Sequence, residues 1–439
     1  MLLYVIGVLV MVIGLAVSIA LHEIGHLVPA KLFGVKVTQY MIGFGRTLFS
    51  TKRGETEYGL KAIPLGGYIA MTGMYPPAAP NGEPRSATTG VFNQLVQDSS
   101  DTGAATAADE DDSRTFYRLS VWKRVVIMLG GPAMNLVLGI VFYAIVLMGF
   151  GLPAATTTIA SVNECLLPVS SERTTCEPGD PAAPGVEAGM LPGDRIVSID
   201  GTPIEQWSQV TELIRAAPGE ELTVVVDRAG DNVTLTATPL LTESYATDAD
   251  GEAVVGPDGE YETTEVGVLG ISSEQELAPQ PASSVLPAVG DNIGAVIGII
   301  ANLPQRLIDV GQAAFGEGER DPNGPISVVG VGRLAGEIAS IDTIPIAERI
   351  QSMVGIVASL NIALLVFNLV PLVPLDGGHV VIALWDGIKR RIARLLKRPD
   401  PRPVDAAKLM PVTLAVALLL GAMSALLIYA DLVKPITIL

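Results

Sequence analysis

Four long uncharged segments dominate the pattern of apolar and polar positions along the chain. They are Met1–Leu21, Val125–Pro153, Ile350–Leu375 and Leu409–Ala430. About 20 apolar residues cross the hydrocarbon core of a bilayer. We therefore predict four transmembrane helices, at residues 1–30, 121–152, 350–380 and 409–431. The first has no basic segment at its start and no small-residue cleavage site at its end, so we interpret it as a retained helix rather than a signal peptide.

A fifth apolar stretch begins near Val285 and is interrupted by Asp291. The uncharged run that follows, from Asn292 to Gln305, is too short to cross a bilayer. We therefore interpret residues 285–345 as an amphipathic region at the membrane surface.

The charged residues are distributed unevenly and give the four helices an orientation. The chain has 439 residues, 17% of them charged, and a net charge of −18, which argues against nucleic-acid partners. The region from Pro153 to Ser283 holds 23 acidic residues, four Arg and no Lys. By contrast, 17 of the 28 basic residues lie in loops that four spans place on one side. The positive-inside rule makes that side cytoplasmic and places both termini outside.

Three regions lie between the predicted helices. Residues 34–75 contain Gly-rich, short apolar runs and indicate a membrane-associated β-hairpin, which must be covered by protein at membrane depth. Residues 76–115 are polar and acidic, and we expect a disordered cytoplasmic insertion. Residues 153–275 contain strand-like runs separated by Gly and Pro, which indicates a small extracytoplasmic β-rich domain.

The sequence HEIGH at residues 22–26 ends the first predicted helix. Residues i and i+4 share one helix face, so His22 and His26 can point at one metal ion. Glu23 lies beside them and can accept a proton from water. The alternative is a set of interfacial side chains reaching toward water, but this explains neither the spacing nor the Glu.

A catalytic zinc needs a third protein ligand and one open position. Asp376 and His379 are the candidates in the other predicted spans. In one alternative, Asp376 is the third zinc ligand and His379 lies either behind the ligands or beside the substrate. In the other, both residues bind the zinc and close the site, which would then be structural. For Asp376, helix capping is the alternative role. Asn368 could hydrogen-bond to substrate backbone or to a neighbouring helix.

These motifs resemble those of the site-2 protease family of intramembrane zinc metalloproteases. The matching stretches are HEIGH at 22–26, GGPAMN at 130–135 and NLVPLVPLDGG at 368–378, in the family's order. The resemblance implies one Zn²⁺ per chain held by His22, His26 and Asp376, with Glu23 as the catalytic residue. It also implies that Gly66 and Gly67 lie in the family's membrane-associated hairpin, whose edge could pair with an unwound substrate.

The chain is most similar to the bacterial sigma-factor-regulating branch of that family. This implies an inner-membrane enzyme that cuts transmembrane segments of anti-sigma factors or remnant signal peptides after an upstream, site-1-type protease. It also implies an extracytoplasmic PDZ domain, here at 153–275, and residues 185–201 carry its Gly-Asp turn pattern. Such a domain could bind peptides or act as a size filter, and both roles remain open. Cys165 and Cys176 lie in it, where an oxidising compartment permits a disulfide, although two free thiols are the alternative.

A rival interpretation belongs to another class of protein. The chain could be a non-catalytic membrane PDZ adaptor that uses its metal structurally. Glu23 argues against this, since a structural metal site needs no Glu at that position.

Overall fold

The computed structural model describes residues 1–75, 85–88, 114–167, 173, 175–246, 254, 261–316, 320–321, 324–404 and 409–436. These residues form two compact units, Met1–Phe150 with Gln280–Leu439, and Gly151–Pro279. Most of the insertion expected to be disordered, 76–115, lies outside the described residues. Its described part includes a short strand, Arg85–Thr88.

Each of the two units contains both helices and strands. The helices are α1 (Leu2–Leu32), α2 (Val121–Ala144, continued by a wider turn over Ile145–Phe150), α3 (Pro184–Glu187), α4 (Trp207–Ala216), α5 (Val285–Ala301), α6 (Leu303–Phe315), α7 (Val328–Ser340), α8 (Ile346–Leu369), α9 (Asp376–Leu395) and α10 (Met410–Val433). The strands are β1 (Val37–Arg53), β2 (Thr56–Tyr75), β3 (Arg85–Thr88), β4 (Leu152–Val162), β5 (Arg195–Ile199), β6 (Thr202–Pro203), β7 (Leu222–Arg228), β8 (Asp231–Ala237), β9 (Leu240–Tyr245), β10 (Thr263–Val268) and β11 (Ile271–Ala278).

Within the described residues, five helical segments are long and apolar enough to cross a membrane. They are Leu2–Leu32, Val121–Phe150, Ala282–Ala301, Ile346–Leu369 and Pro411–Val433. Four correspond to the predicted spans, so the chain is a multi-pass membrane protein. The additional segment contains α5, which we expected at the membrane surface. The count of four spans therefore stays a prediction.

The expected helix at 350–380 is two helices in the structure. Helix α8 ends at Leu369, and α9 begins at Asp376. Pro371 and Pro374 lie in the connection, and proline disfavours a helical conformation at the residue before it. Asp376 therefore lies at the start of a new helix, instead of near the end of a continuous span.

The region 285–345 contains helices α5, α6 and α7. Helix α5 packs along α8, where Val289 and Val296 share a buried cluster with Ile362 and Leu365. The side chain of Asn292 donates a hydrogen bond to the Ser359 hydroxyl at 3.1 Å.

Helices α1 and α2 approach each other closely at a pair of glycines. A Cβ atom added to Gly25 would overlap the backbone of Gly130, and one added to Gly130 would overlap the backbone of Gly25. Small residues allow helix backbones this degree of contact in membranes. The contact brings α2 against the part of α1 that contains the HEIGH motif.

Strands β1 and β2 form a long antiparallel hairpin that curls on itself. Tyr40 lies opposite both Ile69 and Tyr58, so the same part of β1 pairs on two sides. The hydroxyl of Tyr40 donates to the backbone oxygen of Ala20 in α1 at 2.9 Å. The hairpin expected at 34–75 is therefore present and is attached to α1.

The unit Gly151–Pro279 is built around a sheet in the order β11-β4-β5-β7-β8. Its core contains Ile196, Val224 and Val226 from the sheet and Val210 from α4. The alternating buried positions of β7 place these apolar side chains on one face of the strand. A disulfide joins Cys165 and Cys176 within this unit.

Candidate metal centre

Three side chains from two distant parts of the chain converge in the unit Met1–Phe150 with Gln280–Leu439, the membrane unit. His22 and His26 are four residues apart on α1, and their Nε2 atoms lie 3.2 Å from each other. The Oδ2 atom of Asp376 lies 3.4 Å from His22 Nε2 and 3.3 Å from His26 Nε2. All three residues are buried.

This donor set fits a zinc ion. Zinc binds His nitrogen and carboxylate oxygen at about 2.0–2.2 Å in a tetrahedron, which separates its ligand atoms by roughly 3.3–3.6 Å. The three observed separations are 3.2, 3.3 and 3.4 Å. Asp376 Oδ2 is also buried without a hydrogen-bond partner among the described residues, an arrangement that a cation would satisfy. Three protein ligands leave the fourth position open, as in catalytic zinc sites.

Helix α2 holds the two imidazole rings in place. His26 Nδ1 lies 2.7 Å from the backbone oxygen of Ile127, so Nδ1–H donates there and Nε2 presents its lone pair. The side-chain amide of Asn135 lies 3.0 Å from His22 Nδ1. Oxygen Oδ1 of that amide has no partner among the described residues. A half-turn of the amide would let Oδ1 accept Nδ1–H and leave His22 Nε2 free to bind metal.

Gly131 allows α2 to lie directly against the two ligands. A Cβ atom at this position would overlap His26 Nε2 and the imidazole ring of His22. Any side chain at residue 131 would therefore occupy the space next to both ligand nitrogens.

Glu23 lies beside the three-residue group without belonging to it. Its side chain is buried and faces a cavity of about 550 Å³ that His22 and Asp376 also line. Gly67 of the hairpin lies against the Glu23 side chain, where a Cβ would be 3.1 Å from Glu23 Cγ. The carboxylate is thus next to the ligands at the wall of a space large enough for a peptide segment.

The other residues singled out from the sequence fall into two groups. Asn368, Gly66 and Gly67 line the cavity, and the Asn368 amide donates to the Leu364 backbone oxygen at 3.0 Å. His379 is buried, but it belongs neither to the three-residue metal group nor to the cavity lining. The geometry therefore favours three ligands over the closed, four-ligand alternative.

Sequence reasoning missed the roles of Asn135 and Gly131 and the contribution of α10. Both residues of α2 lie in the GGPAMN stretch, so their position was visible but not their contact with the ligands. Ala417, Gly421 and Ser424 of α10 form part of the cavity wall. Their small side chains at spacings of three and four residues lie on one helix face, which was the available signal.

Comparison with known proteins agrees with this geometry. The sequence profile of peptidase family M50 matches residues 10–398. The zinc metalloprotease Rip1 of Mycolicibacterium smegmatis is 32% identical over 448 residues, which cover 99% of this chain and 98% of that protein. The zinc metalloprotease Rip1 of Mycobacterium tuberculosis strain H37Rv is 30% identical over 442 residues, with the same coverage.

These matches confirm the resemblance seen in the motifs and favour a protease over the non-catalytic adaptor. They also make zinc the metal for which the buried nitrogen and oxygen donors are arranged. The chain therefore belongs to peptidase family M50, the site-2 proteases, and is a zinc metalloendopeptidase of the membrane.

Proposed function

We propose that this protease cuts single-span proteins, such as anti-sigma factors or remnant signal peptides, inside their transmembrane segments during regulated intramembrane proteolysis. The observation that carries the proposal is the position of the metal group. His22, Glu23 and His26 lie on a candidate membrane span, and the cavity that Glu23 faces is lined mainly by apolar residues, to which α10 contributes the most. A substrate that reaches this cavity would come from within the bilayer.

The position of each side chain determines the role that we propose for it in the reaction. We assign His22, His26 and Asp376 as the zinc ligands. Zinc, when bound, supplies a Lewis acid that polarises the scissile carbonyl and lowers the pKa of water. Glu23 takes the proton from the attacking water and passes it to the leaving amine. Its position beside the ligands, without being one of them, supports this role.

The hairpin and Asn368 are proposed to hold the substrate. A transmembrane helix hides its carbonyl groups in hydrogen bonds, so the substrate must unwind near the cut. Gly66 and Gly67 present backbone at the wall of the cavity that residues of α8 and α10 also line. An unwound segment could pair there as an added strand while Asn368 binds its backbone.

We propose that α1, α2, α8 and α10 are the spans and that α5 and α6 form a re-entrant pair. The backbone N–H of Gln280, just before α5, donates to Leu147 at the end of α2. After α6, the Gly316 oxygen accepts from Lys434 at the end of α10. Four spans place the ends of α2 and α10 on the same side, so α5 and α6 return the chain to the side where it started. The basic loops make the other side cytoplasmic.

We assign the unit Gly151–Pro279 as a PDZ domain, extracytoplasmic in this orientation. The Gly193-Asp194 turn, the six-stranded antiparallel sheet and helix α4 support the assignment. We propose a filter role, in which the domain excludes substrates that an upstream, site-1-type protease has not trimmed. Replacing residues 151–279 by a short Gly-Ser linker should then release cleavage of untrimmed substrate. Slower cleavage of trimmed substrate, with none of the untrimmed form, would instead favour recruitment.

The protease proposal is tested with purified full chain, zinc and a single-span substrate in lipid vesicles. Mass spectrometry of the products should place the cut inside the substrate's transmembrane segment. Glu23→Gln should retain zinc but form product about 10²–10⁴-fold more slowly. Cleavage confined to the water-exposed part of the substrate would contradict an intramembrane function, and cleavage by Glu23→Gln at the wild-type rate would contradict the mechanism.

A further inference from the structure

Helix α9, which begins at Asp376, has two opposite faces of different character. His379, Ala383 and Asp386 lie on the face that is buried in the protein. The opposite face carries an exposed apolar stripe at helical spacing, made of Val381, Leu384, Trp385, Ile388, Ile392 and Leu395. Trp385 is 54% exposed and Leu395 76% exposed. This stripe is unlike the surface of a helix that faces water, where polar residues would be expected.

Basic residues border the apolar stripe. At 100° per residue, Lys389 and Arg391 lie on its two sides. The segment from Lys389 to Arg398 holds six basic residues and no acidic one. A helix with an apolar face and Lys or Arg beside it lies in the interfacial plane of a membrane, and its attraction is strongest to anionic lipids.

The contacts of α9 place this basic half near the end of a membrane span. Gly387, in the middle of α9, packs against Val121, the first residue of α2. Next to Gly387, the buried Asp386 carboxylate accepts a hydrogen bond at 3.0 Å from Arg124, which lies about one turn after Val121 on α2. Lys389 forms a second ion pair with Asp386 at 3.0 Å. With α2 as a membrane span, Gly387 lies near the lipid headgroups, and the apolar stripe continues for two turns past Gly387 along α9.

We propose that the second half of α9, residues 384–398, docks onto an anionic phospholipid bilayer and that this docking steadies the helix whose first residue is Asp376. The apolar stripe enters the interface, and Arg391 binds a lipid phosphate at its border. The exposed Arg394, one turn further along α9 and on the same side as Arg391, adds positive charge farther from the stripe. The Arg124–Asp386 pair fixes the middle of the helix to α2. The proposal rests on α2 as a membrane span but does not require protease activity.

The chain provides its own reporter for this docking. It has three Trp residues, at 122, 207 and 385. Trp122→Phe with Trp207→Phe leaves Trp385 as the sole tryptophan, on the apolar stripe. The full chain is reconstituted in phosphatidylcholine vesicles with and without phosphatidylglycerol, each containing brominated acyl chains as quenchers. We expect stronger quenching and a shorter emission wavelength with phosphatidylglycerol.

Charge variants test the anionic part. Arg391→Gln with Arg394→Gln should shift the docking equilibrium in phosphatidylglycerol vesicles by roughly 30-fold, from about 1 kcal/mol for each charge near an anionic surface. Lys52→Gln with Arg53→Gln removes two exposed charges from the tip of the hairpin and should leave Trp385 quenching unchanged. Equal quenching of Trp385 in both lipids, insensitive to the α9 charges, would overturn the preference for anionic lipid.

The consequence for Asp376 has its own readout. The release of zinc to a chelator should be slower in vesicles that contain phosphatidylglycerol, and Ile388→Ser with Ile392→Ser should abolish this difference. Because zinc release is followed without substrate, a failed cleavage assay cannot be mistaken for failed docking. Absence of quenching in both lipids, with cross-linking between copies of an Ile388→Cys variant, would assign the stripe to a second copy of the chain and overturn the proposal.

Discussion

The two units of this protein bury opposite kinds of side chain. Among the described residues, Asp194 is the only buried polar or charged side chain in the unit Gly151–Pro279, whose core is otherwise aliphatic. The membrane unit buries more than a dozen, including His22, Glu23, Asn135 and Asp376. Isolated polar groups are costly to bury, so each needs a partner or a function. The interior of the membrane unit therefore contains the candidate functional side chains, while the interior of the other unit contains apolar side chains that stabilise its fold.

The largest expected effect distinguishes Asp376, a proposed zinc ligand, from Glu23, which lies beside the ligands. Asp376→Ala should lose zinc and all measurable cleavage, because it removes one of three ligands. Glu23→Gln should retain zinc while cleavage falls by about 10²–10⁴-fold, the usual contribution of a general base. Zinc content by atomic absorption and product formation by mass spectrometry measure the two quantities. Zinc loss in Glu23→Gln would make Glu23 a ligand and remove this distinction.

The second prediction tests how strongly zinc binding depends on the close packing of α2 against His22 and His26 of α1. Gly131→Ala should sharply reduce zinc binding, since its Cβ would overlap both imidazole rings. Gly355→Ala, on α8, is the matched control because a Cβ there meets no heavy atom within 4 Å. Zinc titration of both variants provides the comparison, and equal affinity would show that α2 can move away without cost.

A smaller effect is expected where a polar neighbour orients a ligand. Asn135→Leu removes the hydrogen bond to His22 and should weaken zinc binding by about 10–100-fold. Asn135→Asp retains an acceptor of the same shape and should recover most of the affinity. A purely structural role would instead leave the Asp variant as weak as the Leu variant.

The smallest effect on zinc is expected in the other unit. Arg228 donates two hydrogen bonds to Asp194 and lowers the pKa of that carboxyl. Asp194→Ala should destabilise the unit by about 1.5–3 kcal/mol, the range for hydrogen bonds to charged groups, while zinc content is unchanged. Thermal unfolding of the full chain with intact disulfide, in a Trp122→Phe and Trp385→Phe background that leaves Trp207 as the sole tryptophan, measures the loss by near-ultraviolet circular dichroism.

The direction of the pH dependence follows from the same pair. Because the folded-state pKa of Asp194 is lowered, its stabilisation is complete above the ordinary aspartate pKa of about 3.9. It is lost as the pH falls through the lower, folded-state pKa. Asp194→Asn should lack this acid-sensitive contribution. An identical acid transition in wild type and Asp194→Asn would show that the pair does not contribute to stability.

The sequence allowed the convergence of His22 and His26 on α1 to be predicted because helical periodicity alone places residues 22 and 26 on one face. Asp376 was found because ionisable residues are rare beside apolar segments. The helix break before Asp376 was visible as Pro371 and Pro374, yet a count of uncharged residues ignores it. The contact of Asn135 with His22 was beyond sequence reasoning, since it depends on the rotation of α2 about its own axis. That rotation is set by the Gly25–Gly130 contact, which has no signal in the periodicity of either helix.

The separation of the proposed zinc ligands along the chain also sets when the enzyme can first act. His22 and Asp376 are about 350 residues apart. At the usual rate of synthesis of roughly 5–20 residues per second, the ribosome needs roughly 20–70 seconds to make the intervening chain. During that time α1 and α2 can already lie in the bilayer, but the third ligand does not exist. With the proposed ligand set, a newly made molecule therefore cannot complete its metal site or cut neighbouring proteins before Asp376 has been made.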